Sequence, residues 1–203
     1  RISFQYRRGQ GGLATHFVVP ERWAHKLPDN IGDEEAALIE PLSVALHAVR
    51  KSGLQVGQSS VIFGAGAIGL FIIQIAGAIG GGKTIAVDID PFRLTSAQRF
   101  GATHILDNHA GDVVETILEH TNGLGADKAF EAAGLEVTMV QALNSVRKGG
   151  AVVVIGLFEK EEICLPANLF VQKEISLTGS QGYQWDFPTA IAMVADGKFH
   201  LKE

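Results

Sequence analysis

Three glycines, at positions 64, 66 and 69, have the spacing of a turn that wraps a phosphate group. The first permits a tight turn, the second lets the backbone approach a pyrophosphate, and the third lets a helix pack closely on a strand. The helix that follows offers free N–H groups and the positive end of its dipole. The expected cofactor contacts in this turn are Gly64, Gly66, Ala67, Ile68 and Gly69.

An acidic residue follows this turn at the distance that a dinucleotide site requires. Asp88 ends the next apolar run, about 20 residues further on. Its carboxylate can accept hydrogen bonds from the adenosine ribose hydroxyls and would repel a 2′-phosphate, which predicts NAD rather than NADP. Arg93 either flanks the ribose or is a solvated helix residue, and the sequence leaves both interpretations open.

Two later strand ends are expected to face the same cofactor, because ligands of such sheets lie outside the carboxyl ends of the strands. The expected contacts there are Ala133, Gly134, Ile155, Gly156 and Leu157. Ordinary strand-to-loop connections would explain these residues equally well.

The elements that must position these residues alternate regularly between residues 60 and 178. Apolar runs predict strands at 61–63, 84–88, 103–106, 128–132, 151–155 and 175–178. Helices are predicted at 67–79, 91–100, 112–120 and 136–146, with a short turn near 167–170. This alternation predicts an α/β fold, a Rossmann doubly wound parallel sheet with right-handed crossovers.

The flanking segments have a different pattern. Residues 14–20 read as a strand that ends at Pro20. A helix is predicted to begin at Asp33, to break at Pro41 and to restart over 44–49, and a last helix is predicted at 186–197. Residues 61–82 carry no charge and are long enough to span a bilayer. Their seven glycines, the β-rich run at 61–63 and a second one at 84–87 instead favour a strand, a turn, a helix and a second strand.

Composition excludes several classes of protein. The net charge of −5 and the absence of a Lys/Arg cluster argue against a nucleic-acid surface. The single cysteine, Cys164, rules out an internal disulfide or a multi-cysteine zinc site and favours a reducing, cytoplasmic setting. Both ends of the sequence look cut, so we expect a fragment of a longer protein.

The sequence resembles the zinc-dependent medium-chain dehydrogenases, in the branch of the sorbitol, threonine and 2,3-butanediol dehydrogenases. The resemblance is carried by residues 12–14, 17–20, 26–28 and 35–49, the glycine turn, and residues 130–134, 149–150 and 173–180. Glu40-Pro41-Leu42 is its most specific part beside the glycines. It implies that residues 1–45 end the first part of a mainly-β, GroES-like catalytic domain. Residues 46–178 would then form the dinucleotide-binding domain, and 179–203 would begin the return of the catalytic domain.

The resemblance also implies an activity, the NAD-dependent oxidation of a secondary alcohol, diol or polyol to a ketone. Residues 157–160 and 168–174 favour 2,3-butanediol and acetoin, with sorbitol/iditol and threonine as alternatives. A zinc-free reductase or a non-catalytic cofactor-binding fragment remains open. A small-molecule alcohol is the expected partner, and the family implies a homo-oligomer, a dimer or tetramer joined through edge strands; neither nucleic acid nor membrane is expected.

Glu40 is the candidate catalytic and metal-site residue. In the family, the matching glutamate lies beside the catalytic zinc as a ligand or bonded to its water, whereas the remaining ligands precede residue 1. We therefore expect no complete zinc site in this chain. Without the resemblance, Glu40 would read as a surface residue. His47 shares its helical face, and a packed or hydrogen-bonded histidine is favoured there over a ligand.

Overall fold

A computed structural model describes residues 15, 16, 18–199 and 201. Six strands alternate with helices: β1 Ser60–Phe63, β2 Thr84–Asp88, β3 His104–Asp107, β4 Ala126–Glu131, β5 Val146–Val154 and β6 Ser176–Gly179. The helices are α1 Asp33–Ser52, α2 Ala67–Ala78, α3 Pro91–Arg99, α4 Val113–His120, α5 Glu136–Ser145, α6 Asn168–Lys173 and α7 Phe187–Ala195. A short 3-10 turn, Glu21–Trp23, precedes them.

The strands form one parallel sheet in the order β3-β2-β1-β4-β5-β6. The chain winds outward from β1 in one direction, returns to β4, and then winds outward in the other. This is the Rossmann order, and it confirms the predicted doubly wound fold. The carboxyl ends of β1 and β4 are neighbours, so the crevice that such folds use for ligands opens between them.

Both faces of the sheet are covered, as the apolar strands predict. Val61 and Phe63 of β1 pack with α4 and α5 on one face. Ile62, which points to the opposite side, packs with α1, α2 and α7. No helix in the described part of the chain is long and apolar enough to cross a membrane, and α2 has 12 residues. The strand, turn and helix predicted within 61–82 and the second strand predicted after them are confirmed.

Helix α1 is continuous through Pro41, so the predicted break there is wrong. Proline removes one N–H from the helix ladder, at a cost of about 3 kcal/mol. The buried side chains of Ile39, Leu42 and Leu46 pack into the core on either side of it, and this burial holds the helix together. The expected domain boundary at residue 45 therefore falls inside a helix and stays a prediction.

Two other expectations were wrong in part. Residues 16 and 18–20 form no strand, whereas Ala14 and Phe17 lie outside the described residues. A strand needs a neighbour, and the six-stranded sheet is the one sheet of the described residues.

Strand β5 begins at Val146 rather than at 151, because its pairing with β4 shifts register between Ala126 and Lys128 and so admits a longer strand.

Candidate functional site

The glycine turn connects β1 to α2 in a geometry that other residues would not adopt. Gly64 has φ = +98°, a region that L residues rarely enter, and its N–H donates to the Val87 carbonyl at 2.8 Å. A Cβ atom on Gly64 would lie 3.0 Å from the carbonyl carbon of Ala132. A Cβ atom on Gly69 would overlap the Gly64 carbonyl oxygen. Gly64 and Gly69 therefore have the turn and packing roles that the sequence predicted.

Gly66 faces open space at the N-terminus of α2. A Cβ atom built there would meet no atom within 4 Å among the described residues, so the site has room for a group that is not protein. No side chain caps the helix at this position. The N–H groups of Ala67 and Ile68, in the first helical turn, have no carbonyl within the helix to bind. An uncapped helix N-terminus under open space fits a phosphate group.

Asp88 is buried at the end of β2, directly beside this turn. Its Oδ2 accepts a hydrogen bond from the Ala65 N–H at 2.7 Å, and its Oδ1 accepts from Ile89 and Asp90 at 2.8 and 3.0 Å. The carboxylate thus braces the glycine turn as well as offering oxygens at the site. Arg93 is more than half exposed, with its Nη1 3.8 Å from Asp88 Oδ2, which is a loose ion pair.

Glu131 organises the loop after β4, and sequence reasoning missed it. Its side chain is fully buried, and its Oε1 accepts hydrogen bonds from the N–H groups of Ala133 and Gly134 at 3.1 and 2.8 Å and from Thr138 Oγ1 at 2.7 Å. The signal that was available is a charged residue at the end of a buried strand, because glutamate is seldom fully buried without partners.

The loop after β5 lies against the loop after β4. The N–H groups of Ile155 and Gly156 donate to the Glu131 carbonyl at 2.8 and 3.0 Å. A Cβ atom on Gly134, which has φ = +74°, would lie 2.5 Å from the Leu157 carbonyl oxygen. The five residues predicted at these two strand ends are therefore brought together along one edge of the sheet.

A cavity of about 1340 Å³ opens beside the carboxyl ends of β5 and β6. One wall is a stripe of α1 side chains at helical spacing: Glu40, Val44, His47 and Lys51. The other walls include Ile155, Gly156 and Leu157 and the aromatic residues Trp23, His25, Tyr183, Trp185 and Phe187. The loop after β5, which was predicted to contact the cofactor, and Glu40 therefore face one cavity. A smaller hollow of about 240 Å³ near the C-termini of α2 and α3 contains none of the predicted site residues.

Aromatic rings pack together in the wall of the cavity. His25 stacks on Phe187 with ring centroids 5.3 Å apart, and Tyr183 meets Phe187 edge-on at 4.8 Å. These contacts hold the segment after the 3-10 turn against the start of α7. They make this side of the cavity apolar.

Glu40 is exposed to the cavity, and partial burial by the surrounding wall raises the pKa of its carboxyl. A cation placed beside it would oppose that shift. Among the described residues, no group of three or more His, Cys, Asp or Glu side chains is placed to hold a metal ion. Structural and catalytic zinc sites use three or four protein ligands, so Glu40 does not fit a complete zinc site with the described residues alone.

His47 is held by Asp186 rather than placed as a free ligand. Its Nδ1 lies 3.1 Å from Asp186 Oδ2. Asp186 is fully buried, and it also accepts from Arg50 Nη1 at 2.5 Å and from the Gln184 N–H at 2.7 Å. The structure thus has the hydrogen-bonded histidine that the sequence favoured, although Asp186 itself was not predicted.

Comparison with known proteins identifies the family to which this chain is similar. Residues 67–196 match the family described as zinc-binding dehydrogenase. The chain is 38% identical over 198 residues to a probable D-xylulose reductase A of Aspergillus niger, covering 95% of this chain and 55% of that protein. It is 37% identical over 187 residues to the sorbitol dehydrogenase of Bacillus subtilis, covering 92% of this chain and 53% of that protein. The chain thus spans about half the length of these relatives.

Solved structures agree with the sequence relatives. The 2R,3R-butanediol dehydrogenase of Bacillus subtilis superposes with a TM-score of 0.81 at 38% identity, over 87% of this chain and 50% of that one. A putative zinc-binding dehydrogenase of Sinorhizobium meliloti bound to NADP has a TM-score of 0.85 at 30% identity, over 90% of this chain and 54% of that one. An Escherichia coli dehydrogenase complexed with NADH has a TM-score of 0.84 at 25% identity, over 91% and 54%. With its Rossmann sheet and its glycine turn at the N-terminus of α2, this chain belongs to the zinc-binding dehydrogenase family.

Proposed function

We propose that this chain is the cofactor-binding part of a dehydrogenase that oxidises a secondary alcohol, a diol or a polyol, to a ketone with NAD⁺. The observation that carries the proposal is the open, uncapped N-terminus of α2 beside the buried carboxylate of Asp88. A pyrophosphate needs the first of these features, and an adenosine ribose needs the second.

The two halves of the sheet would hold the two halves of the cofactor. Gly66, Ala67 and Ile68 would bind the pyrophosphate through backbone N–H groups, and Asp88 would accept from the ribose hydroxyls. The loops after β4 and β5 would receive the nicotinamide, which places its ring at the edge of the large cavity. Bound NAD⁺ supplies the acceptor for a hydride from the alcohol carbon.

A role for zinc is proposed on two grounds, the family to which the chain belongs and the position of Glu40 in the cavity. In a longer chain that supplies further ligands, Glu40 would stand beside the metal, which polarises an alcohol oxygen when it is bound. The described residues place Glu40, an apolar aromatic wall and the loop after β5 around one cavity. That arrangement excludes water from one side of a substrate alcohol.

We favour a 2,3-diol as the substrate and keep a sugar polyol as the alternative. The diol is supported by residues 157–160 and 168–174 and by the likeness to a butanediol dehydrogenase. The polyol is supported by the relatives named as xylulose reductase and sorbitol dehydrogenase. Threonine, zinc-free reduction and cofactor binding without catalysis remain as outcomes of the test.

The test uses the full-length protein that contains this chain. NADH formation is followed with 2,3-butanediol, sorbitol, xylitol and threonine as substrates, together with the zinc content of the purified enzyme. We expect turnover to be fastest with 2,3-butanediol and to be lost when a chelator removes the metal. Turnover without any metal would identify a zinc-free reductase, and no turnover with any alcohol would overturn the enzymatic proposal.

The cofactor preference is a separate prediction that rests on Asp88. We expect NAD⁺ to bind more tightly than NADP⁺ by about 1–3 kcal/mol, the cost of placing a 2′-phosphate beside the Asp88 carboxylate. Asp88→Ala should narrow this gap, with titration calorimetry giving the ratio of the two dissociation constants for each protein. Asp112→Ala, which removes a helix cap at α4, should leave the ratio unchanged. Equal affinities in the wild type would contradict the prediction.

We also propose that the full-length protein is a homo-oligomer joined through β6. This strand ends the sheet, so one row of its N–H and C=O groups has no neighbour among the described strands. Leu177 on this strand is 40% exposed and Val171 on the preceding helix is 81% exposed, which would suit a self-complementary two-fold contact. Light scattering is expected to show a dimer or tetramer, and a monomer at every concentration would show that the edge is covered in another way.

A further inference from the structure

One side-chain oxygen of Glu131, Oε2, is buried and has no role in the cofactor site proposed above. The side chain is fully buried, and Oε2 accepts no hydrogen bond from any residue that the structure describes. Leaving a buried polar atom without a partner costs on the order of 1–3 kcal/mol, and more if it is charged. An apolar residue would avoid that cost, so the carboxyl group must supply something to its surroundings.

The carboxyl group of Glu131 contacts both the loop after β4 and the loop after β5. Oε1 gathers the N–H groups of Ala133 and Gly134 and the hydroxyl of Thr138, so it fixes the loop after β4 to the start of α5. Oε2 lies on the other side, where a Cβ atom on Gly156 would be 2.6 Å away. The loop after β5 therefore rests directly on this carboxyl group.

The backbone of the same residue holds the second loop. The Glu131 carbonyl accepts the N–H groups of Ile155 and Gly156. Four backbone N–H groups from two loops thus converge on one residue. These four donors are occupied before any ligand arrives, so a cofactor would not bind through them, and the two loops are held in a fixed arrangement.

We propose that Glu131 is a positioning residue for the nicotinamide half of the cofactor, an inference that rests on the function proposed above. Glu131 itself makes no contact with the cofactor, because its side chain has no exposed surface. It sets the spacing between the loops after β4 and β5, and this spacing sets the width of the slot for the nicotinamide ring. The adenosine half is held by α2 and Asp88 on the other half of the sheet, and no donor to the Glu131 carboxylate among the described residues lies there.

NADH and ADP-ribose can therefore be used as two ligands that differ in the nicotinamide ring. NADH contains both halves of the cofactor, whereas ADP-ribose contains the adenosine, the pyrophosphate and the second ribose but lacks the nicotinamide ring. In the full-length protein we expect Glu131→Leu to weaken NADH binding by about tenfold or more, because the loop after β4 loses the three hydrogen bonds that Oε1 accepts. ADP-ribose binding should change by less than about twofold, because the Glu131 carboxylate shares no hydrogen-bond partner with α2 or with Asp88.

Further variants keep the test decisive. Glu131→Gln retains an acceptor oxygen for the two loop N–H groups and should restore most of the NADH affinity. If the leucine variant does not fold, Thr138→Val takes its place, because it removes one of the three donors to Oε1 and should weaken NADH binding selectively by a smaller factor. Asp127→Asn is the matched control, because Asp127 lies on the same strand near its opposite end. Its carboxylate accepts from the Ser59 N–H at 2.8 Å and from Arg147 Nε at 2.7 Å. It should leave both dissociation constants unchanged.

The outcomes separate this inference from the function on which it rests. Selective loss of NADH affinity in Glu131→Leu, with a changed emission of bound NADH and recovery in Glu131→Gln, would support the positioning role. Equal weakening of NADH and ADP-ribose would show a general structural role, and unchanged NADH affinity would show no role, so either result overturns the inference. A wild-type protein that binds neither ligand would overturn the proposed function itself.

Discussion

Replacing Gly69 with alanine is expected to destabilise the protein by about 3 kcal/mol or more and to abolish cofactor binding. The added Cβ atom would overlap the Gly64 carbonyl oxygen and lie 3.3 Å from a methyl group of Ile62, so α2 must move away from β1. The displaced atoms belong to the backbone of the turn itself, which cannot yield as a flexible side chain would. Urea unfolding measures the free energy, and NADH fluorescence titration measures the binding.

Gly77→Ala is the matched control for this substitution. Gly77 lies in the same helix, is exposed, and has no atom of the described residues within 4 Å of a Cβ built on it. Alanine has the higher helix propensity, so this variant should be more stable by about 0.5–1 kcal/mol. If Gly69→Ala unfolded at the same urea concentration as the wild type, the close packing of the turn against α2 would not be the reason for a glycine there.

Removing the carboxylate of Asp186 is expected to cost about 3 kcal/mol of folding stability. Asp186 is fully buried and accepts from Arg50, His47 and the Gln184 N–H, so Asp186→Ala leaves three donors without their acceptor. Arg50 is half exposed and recovers water, which keeps the loss from being larger. The loss should appear in thermal and urea unfolding of the full-length protein.

Asp196→Ala provides the comparison for Asp186. Asp196 follows the same helix, α7, and forms an exposed pair with Lys198 at 3.3 Å. Exposed pairs of this kind contribute about 0–1 kcal/mol. Similar losses in the two variants would mean that the buried cluster between α1 and α7 contributes no more than a surface pair.

The sequence predicts the parts of this structure that depend on local pattern and on spacing. The strands, the glycine turn and Asp88 follow from residues that lie within about 25 positions of one another. The resemblance, rather than the pattern, drew attention to Glu40. In the structure these residues occupy the carboxyl edge of the sheet or its neighbouring cavity.

What the sequence did not predict depends on partners far away along the chain. Asp186 meets Arg50 across 136 residues, and no spacing rule connects the two. Glu131 gains its role from a loop more than twenty residues later. Pro41 was read by its local preference as a break, whereas burial on both sides of it keeps α1 intact. In each case tertiary contact outweighs or redefines the local signal.

The continuity of α1 has a mechanical consequence. A helix of 20 residues is a rod about 30 Å long, and bending it near residue 45 would break packed turns on both sides. Since Ile39, Leu42 and Leu46 anchor this rod in the core, any swing of the segment before it must pivot at or before Gly32. Such a swing would leave Glu40, Val44 and His47 in place, with their mutual spacing unchanged. One wall of the cavity is therefore fixed to the core of the sheet domain.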